Sequence, residues 1–166
     1  MLSTNQKGAI AETAIAHEAV RLGIEVYRPV AEGGRFDLIF AFEDASLARV
    51  QCKWAPMQDG VIIIRSYSCR RAADGLRRRV YEIDEIDALA AYCPDNRRCY
   101  YVPAAKIAGR FGFQLRLAPT RNNQADGVNW AVEYELGAIA QLGERHTGSV
   151  EVAGSSPASS IVARPP

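Results

Sequence analysis

An aspartate stands inside an otherwise apolar run, Arg35-Phe36-Asp37-Leu38-Ile39-Phe40, and a second run, Arg49-Val50-Gln51-Cys52-Lys53-Trp54, follows after a short polar break. A carboxylate in a strand that packs into a core is costly to bury unless a partner compensates it. The second run supplies partners, since Gln51 carries a polar amide oxygen and Lys53 a cation. Residues two apart in a strand share a face, so Gln51 and Lys53 point one way while Cys52 and Trp54 point the other. These two strands are therefore expected to be neighbours, with Asp37 meeting Gln51 and Lys53.

The rest of the chain supplies the scaffold. Asn5 to Leu22 is rich in helix formers, with Asn5 a possible cap and Gly23 a natural stop. Ile24 to Val30, Phe36 to Phe42, Leu47 to Trp54 and Val61 to Ser66 are β-branched or aromatic runs separated by turn-like segments, and predict four successive strands with hairpin connections. Glu82 to Tyr92 reads as a helix ended by Cys93-Pro94, and Arg98 to Val102 as a strand closed by Pro103. A helical turn near Ala104 to Ala108 and a strand at Gln114 to Leu117 follow. This order predicts an α/β fold with a mixed central β-sheet flanked by helices.

Length and composition, 166 residues with 48% hydrophobic and 23% charged, suit one compact domain with a real core. No apolar stretch approaches the roughly 18 residues of a membrane span, and no secretory signal core opens the chain, so a cytoplasmic protein is expected. Cys52, Cys69, Cys93 and Cys99 form no C-x-x-C pair and have no clustered histidine, which speaks for reduced, mostly buried thiols and against structural zinc. The net charge of +1 is uneven: Arg65, Arg70, Arg71, Arg77, Arg78 and Arg79 face one acid, Asp74, before Glu82, Asp84, Glu85 and Asp87 reverse the sign. Such a run is by default a solvated loop. Because it follows a strand bordering the Asp37 region, Arg35, Arg65, Arg70, Arg71, Arg77 and Arg78 are candidate contacts to a polyanion.

On the first helix, Glu12 has Gly8, Ala9, Ile15, Ala16 and Ala19 as its same-face neighbours, which places a carboxylate on a packing face. An ion pair with Lys7 or Arg28 is its plain alternative role, and Asp37 alone could simply bond backbone amides after Gly33-Gly34. Asp37 with Gln51 and Lys53 outlines a metal-dependent phosphodiesterase site, and Glu12 is a carboxylate that needs a partner.

A helix bearing a Glu, an Asp at a strand, then (Asp/Glu/Gln)-x-Lys on the adjacent strand resembles the PD-(D/E)XK nuclease superfamily, in the form found in group I intron homing endonucleases. Lys7-Gly8 through Glu12, Phe36-Asp37, Gln51-Cys52-Lys53, Tyr81 through Tyr92 and Cys99-Tyr100-Tyr101-Val102-Pro103 carry the likeness, over roughly residues 5 to 135. The resemblance implies a restriction-endonuclease-like core and Mg²⁺-dependent hydrolysis of double-stranded DNA. Asp37 would bind the metal, Gln51 would give a neutral oxygen where most relatives use an acid, Glu12 would complete the shell, and Lys53 would stabilise or activate the attacking water. Cutting two strands takes two sites, so a homodimer or tetramer is implied. Phe36 stands where the family has Pro, and Gln51 removes one negative charge from the metal shell. A DNA-repair or Holliday-junction nuclease, and a catalytically inactive DNA-binding relic, are the alternatives.

The sequence divides into an endonuclease domain, 1–136, and a tail, 137–166. The tail, rich in Gly, Ser and Pro, has neither helical nor strand period. It back-translates as a tRNA gene. Synonymous codons let Ala140 to Arg145 read as a D-arm and Val152 to Ala158 as a T-arm, the ends pair, and the segment between supplies a GGC anticodon, that of an alanine tRNA. Disorder and no catalytic role are expected of it, and the nucleotide sequence tests this reading.

Overall fold

The computed structural model describes residues 1–31, 33–73, 75–119 and 127–138. Helix α1 (Thr4–Arg21) opens it, capped by Ser3 and not by Asn5. The Ser3 hydroxyl accepts from the Gln6 N–H at 3.2 Å and the Gln6 amide oxygen accepts from the Ser3 N–H at 2.9 Å, a reciprocal cap worth about 1 kcal/mol. Gly23, at φ +80°, lets the chain turn back so that the Ile24 N–H reaches the Ala19 carbonyl at 3.0 Å. Ala11, Ile15 and Ala19 form the buried stripe of the helix.

There follow β1 (Glu25–Tyr27), β2 (Leu38–Ala41), β3 (Leu47–Trp54), β4 (Met57–Gln58), β5 (Val61–Arg65), β6 (Tyr67–Ala72) and β7 (Gly75–Val80). After them come β8 (Ala88–Cys93), β9 (Arg98–Pro103), the short α2 (Ala104–Ile107), β10 (Gly112–Arg116) and a 3-10 turn, Ala131–Tyr134. The main sheet has the order β1-β2-β3-β8-β9; β3 and β8 run parallel and the other pairs antiparallel. A second sheet, β10-β5-β4, and a two-stranded hairpin, β6-β7, complete the fold.

Strand alternation sorts the core into two layers. Leu38, Phe40, Val50, Cys52, Ala88 and Ala90 pack with the α1 stripe. On the other face Leu89, Ala91, Tyr100 and Val102 pack with Ile62, Ile64, Phe113 and Leu115 of the second sheet. The fold is thus α/β around a mixed sheet, covered by α1 on one face and by the small sheet on the other.

Three further expectations are corrected. Glu82 to Tyr92 is a turn followed by strand β8, not a helix. Ala and Leu favour helices locally, but Ala88, Leu89, Ala90 and Ala91 lie fully buried between β3 and β9, and a strand buried on both faces reads as an unbroken apolar run. The strand at Val61 joins the second sheet, so the four early strands are not one meander, and the arginine run is a hairpin in place of a loop. Cys52, Cys93 and Cys99 are buried free thiols, and Cys69 is exposed. Among the described residues, no helix is long and apolar enough to cross a membrane. The tail expectation falls outside the described residues from 139 onward.

Candidate active site

Asp37 stands immediately before β2, and its N–H donates to the Val50 carbonyl at 2.9 Å, which aligns it beside β3. Its Oδ2 accepts the Cys52 backbone N–H at 2.8 Å and a side-chain amide N–H of Gln51. No described residue donates to Oδ1. Burial pushes the carboxyl pKa up, opposed first by the Cys52 N–H and then by the charge of Lys53.

Because Val50 and Cys52 face α1, Gln51 and Lys53 project from the opposite face, as the spacing predicts. Gln51 is only 8% exposed, against Asp37. The Lys53 ammonium donates to the Tyr81 hydroxyl at 2.8 Å and to the Tyr67 carbonyl at 3.3 Å, and lies 4.8 Å from the Tyr81 ring centre. Its third N–H has no acceptor among the described residues. Burial lowers the Lys53 pKa to about 8, with Asp37 pulling the other way.

Glu12 arrives from the helix layer. It flanks the buried stripe without joining it; its side chain is 32% exposed and pairs with Arg28 at 3.4 Å. The dry packing face expected for it is therefore replaced by the wall of a cleft of about 360 Å³, which Glu12 and Asp37 line together with Arg28, Pro29 and Phe36. The Arg28 charge also favours the ionised form of Asp37. Direct bonds thus join Asp37 to Gln51, Lys53 acts on Asp37 through space, and Glu12 shares the Asp37 cleft.

The arginines divide. Arg35, read from sequence as a polyanion contact, is instead turned into the protein: it donates to the Ser68 hydroxyl at 2.8 Å, the Val80 carbonyl at 2.7 Å and Glu85 at 2.8 Å, and stacks 4.3 Å from the Tyr81 ring centre. The acidic run after the hairpin supplies Glu85, so half-burying this cation needs an internal partner. Arg65 is exposed at the end of β5. In the hairpin, Arg70 pairs in register with Arg77, and Cys69 with Arg78. Arg77 and Arg78 are exposed, the latter 5.2 Å from the Tyr67 ring centre. The side chains of Arg70 and Arg71 lie outside the described residues.

Sequence reasoning missed Arg28 and Tyr81 as parts of this site. Arg28 was visible only as one possible partner of Glu12. The Tyr81 contact with Lys53 spans 28 residues and leaves no local signal.

The donors suit a hard cation in kind: Oδ1 of Asp37, the Glu12 carboxylate and the Gln51 amide oxygen are all oxygens. Among the described residues no group of three or more His, Cys, Asp or Glu side chains could hold a metal, and position 51 carries an amide. As placed, that amide presents N–H to Asp37; turning it about its last torsion exchanges nitrogen for oxygen, an orientation a cation between the two groups would favour.

A strand-edge carboxylate set against Gln-x-Lys on the next strand, beneath a helix bearing Glu, is the architecture of a phosphodiester-cleaving nuclease. The chain belongs to the PD-(D/E)XK endonuclease family, whose model matches residues 2–137. It is similar in fold to the solved structure of a bacterial homing endonuclease, I-Ssp6803I, with a TM-score of 0.67 and 21% identity over 91% of this chain and 100% of that one. Comparison with curated proteins gives no match. Membership of this family makes the protein an endonuclease whose substrate is DNA, of a kind that generally uses divalent metal ions.

Proposed function

We propose that this endonuclease is a Mg²⁺-dependent homing enzyme that cuts both strands of a long duplex site. The single observation that carries the reading is the junction of Asp37, Gln51 and Lys53: a carboxyl whose pKa is raised, an amide that can offer oxygen, and a buried ammonium with one N–H that has no acceptor among the described residues. A divalent cation held by Asp37, the Gln51 oxygen and Glu12 would supply acidity to a water and neutralise charge on the scissile phosphate. Lys53 directs its third N–H at the attacking water or at a phosphate oxygen. Low local dielectric strengthens that contact, since the ammonium is already desolvated. Arg65, Arg70, Arg71, Arg77 and Arg78 hold the duplex backbone, and two sites for two strands require at least a dimer, with a tetramer consistent with the homing reading.

The name of the structural neighbour and the tail reading support the homing role: residues 1–136 form the nuclease and 137–166 translate a tRNA gene, an address used by mobile DNA. Mg²⁺-dependent cleavage of a plasmid library by the wild type and by Lys53→Ala tests the activity. Cutting that depends on Mg²⁺ and nearly vanishes in the variant, with DNA binding kept, is expected; equal cutting by both would refute the site. Branched DNA cut regardless of sequence would instead mark a junction-type nuclease. The amide at position 51 favours one second reading, a DNA-binding relic, which binding without cleavage at any Mg²⁺ concentration would establish.

A further inference from the structure

We propose that Tyr81 is a positioning residue for Lys53, fixing the direction of the one N–H that has no acceptor among the described residues; the inference rests on the nuclease reading above. An ammonium carries three donors on a flexible four-carbon stem, so one hydrogen bond leaves it free to swing. Two fix it. Here the second anchor is a side-chain hydroxyl at 2.8 Å, and the first a backbone carbonyl at 3.3 Å. With both made, the direction of the third N–H is determined.

Tyr81 is itself held. It is 2% exposed, and its ring lies between two cations, 4.8 Å from the Lys53 nitrogen and 4.3 Å from the Arg35 guanidinium. Arg35 in turn is tied to Glu85, to the Ser68 hydroxyl and to the Val80 carbonyl. Each of these groups belongs to the base of the β6-β7 hairpin or to the segment that leaves it. The ring position is therefore set by Arg35, and the hydroxyl position by the ring. Burying a phenol beside an ammonium has no packing advantage over burying a phenylalanine there, because the hydroxyl must be desolvated. A hydroxyl at this place is explained by what it accepts.

Tyr81→Phe keeps the ring and the Arg35 stack and removes only the anchor. Single-turnover cleavage of supercoiled plasmid in Mg²⁺ should slow by about 10- to 100-fold, with the DNA dissociation constant and the melting temperature unchanged. In a Lys53→Met background the same change should cost nothing further, because both substitutions act on one group. Wild-type rates in Tyr81→Phe, or a loss that adds in full to that of Lys53→Met, overturns the proposal. A fall in DNA affinity or melting temperature matching the loss of rate also overturns it, since that marks a structural role. If Lys53→Met itself cuts normally, the site assignment fails, a result distinct from failure of the Tyr81 role.

Discussion

The Asp37 carboxylate is fastened to the backbone of Cys52, whose N–H it accepts at 2.8 Å, so the sheet itself positions the acid, with the Gln51 amide beside it. Asp37→Asn keeps an oxygen for that N–H but loses the charge. Cleavage should fall by roughly 1,000-fold with the fold intact. The folded pKa of Asp37 lies above its ordinary value, so the native state binds this proton more tightly and ionisation opposes folding at neutral pH. The variant should therefore melt at or above the wild-type temperature at pH 7, an advantage that shrinks as pH falls toward the ordinary carboxylate pKa. Calorimetry at both pH values checks the sign, and a clearly lower melting temperature at pH 7 contradicts it.

Lys53 gives the reaction an alkaline limit. Burial brings its pKa to about 8, and a divalent cation at Asp37 would add repulsion and lower it further. If the ammonium is the working form, rates corrected for DNA binding fall as pH rises through that value or slightly below it. Lys53→Arg, which stays charged, should lose this limb whatever its absolute rate. Rate profiles between roughly pH 6.5 and 9.5 compare the two. An alkaline limb that persists unchanged in the arginine variant assigns it to another group.

Arg28 lies 3.4 Å from Glu12 and also eases the charge on Asp37, so it compensates the carboxylates that would receive a metal. Removing it abolishes competition with the incoming cation and repulsion of the bound one. Arg28→Gln should lower the Mg²⁺ concentration for half-maximal cleavage several-fold, by about 1 kcal/mol of apparent affinity. A Mg²⁺ titration at fixed ionic strength measures it. A higher requirement would mean that Arg28 helps to hold the metal or the DNA.

The arginines should separate by phenotype. Arg65→Ala and Arg78→Ala are expected to weaken DNA binding at all sequences and to reduce the salt slope by about one each, with nearly unchanged melting. Arg35→Ala should instead destabilise the fold by about 2 kcal/mol, because it removes the hydrogen bonds to Ser68, Val80 and Glu85 and leaves Glu85 with the exposed Arg79 as its ion-pair partner. Binding isotherms at several salt concentrations and thermal melts distinguish them. A purely electrostatic phenotype for Arg35→Ala would restore it to the DNA-contact set.

Much of this was legible in the chain because it is written in short spacings. The two-residue period of Gln51 and Lys53, the bounds of β3 and the stop at Gly23 are local properties, and the structure reproduces them. The strand at Ala88 was not legible. Its residues prefer a helix by propensity, and only the parallel partner β3 on one side and β9 on the other decide the matter. Glu12 was found by its odd place among small residues, but its solvent access depended on how α1 rolls against the sheet. Tyr81 and Arg28 matter through contacts made after folding, and no spacing announces them.

The parallel pairing of β3 with β8 obliges the chain to leave the sheet at Ala55 and return at Asp87, and everything between is an excursion. Both exits are clamped to the main sheet: Ala55 N–H to the Tyr92 carbonyl and Asp87 N–H to the Arg49 carbonyl, each at 2.9 Å. The excursion contains β4, β5 and the arginine hairpin, yet neither Asp37 nor the Gln51-Lys53 pair. It nevertheless reaches back to Lys53 through the Tyr81 hydroxyl and the Tyr67 carbonyl, so a lineage that exchanged this cassette would keep Asp37 and Gln51 but would have to rebuild the seat of the ammonium.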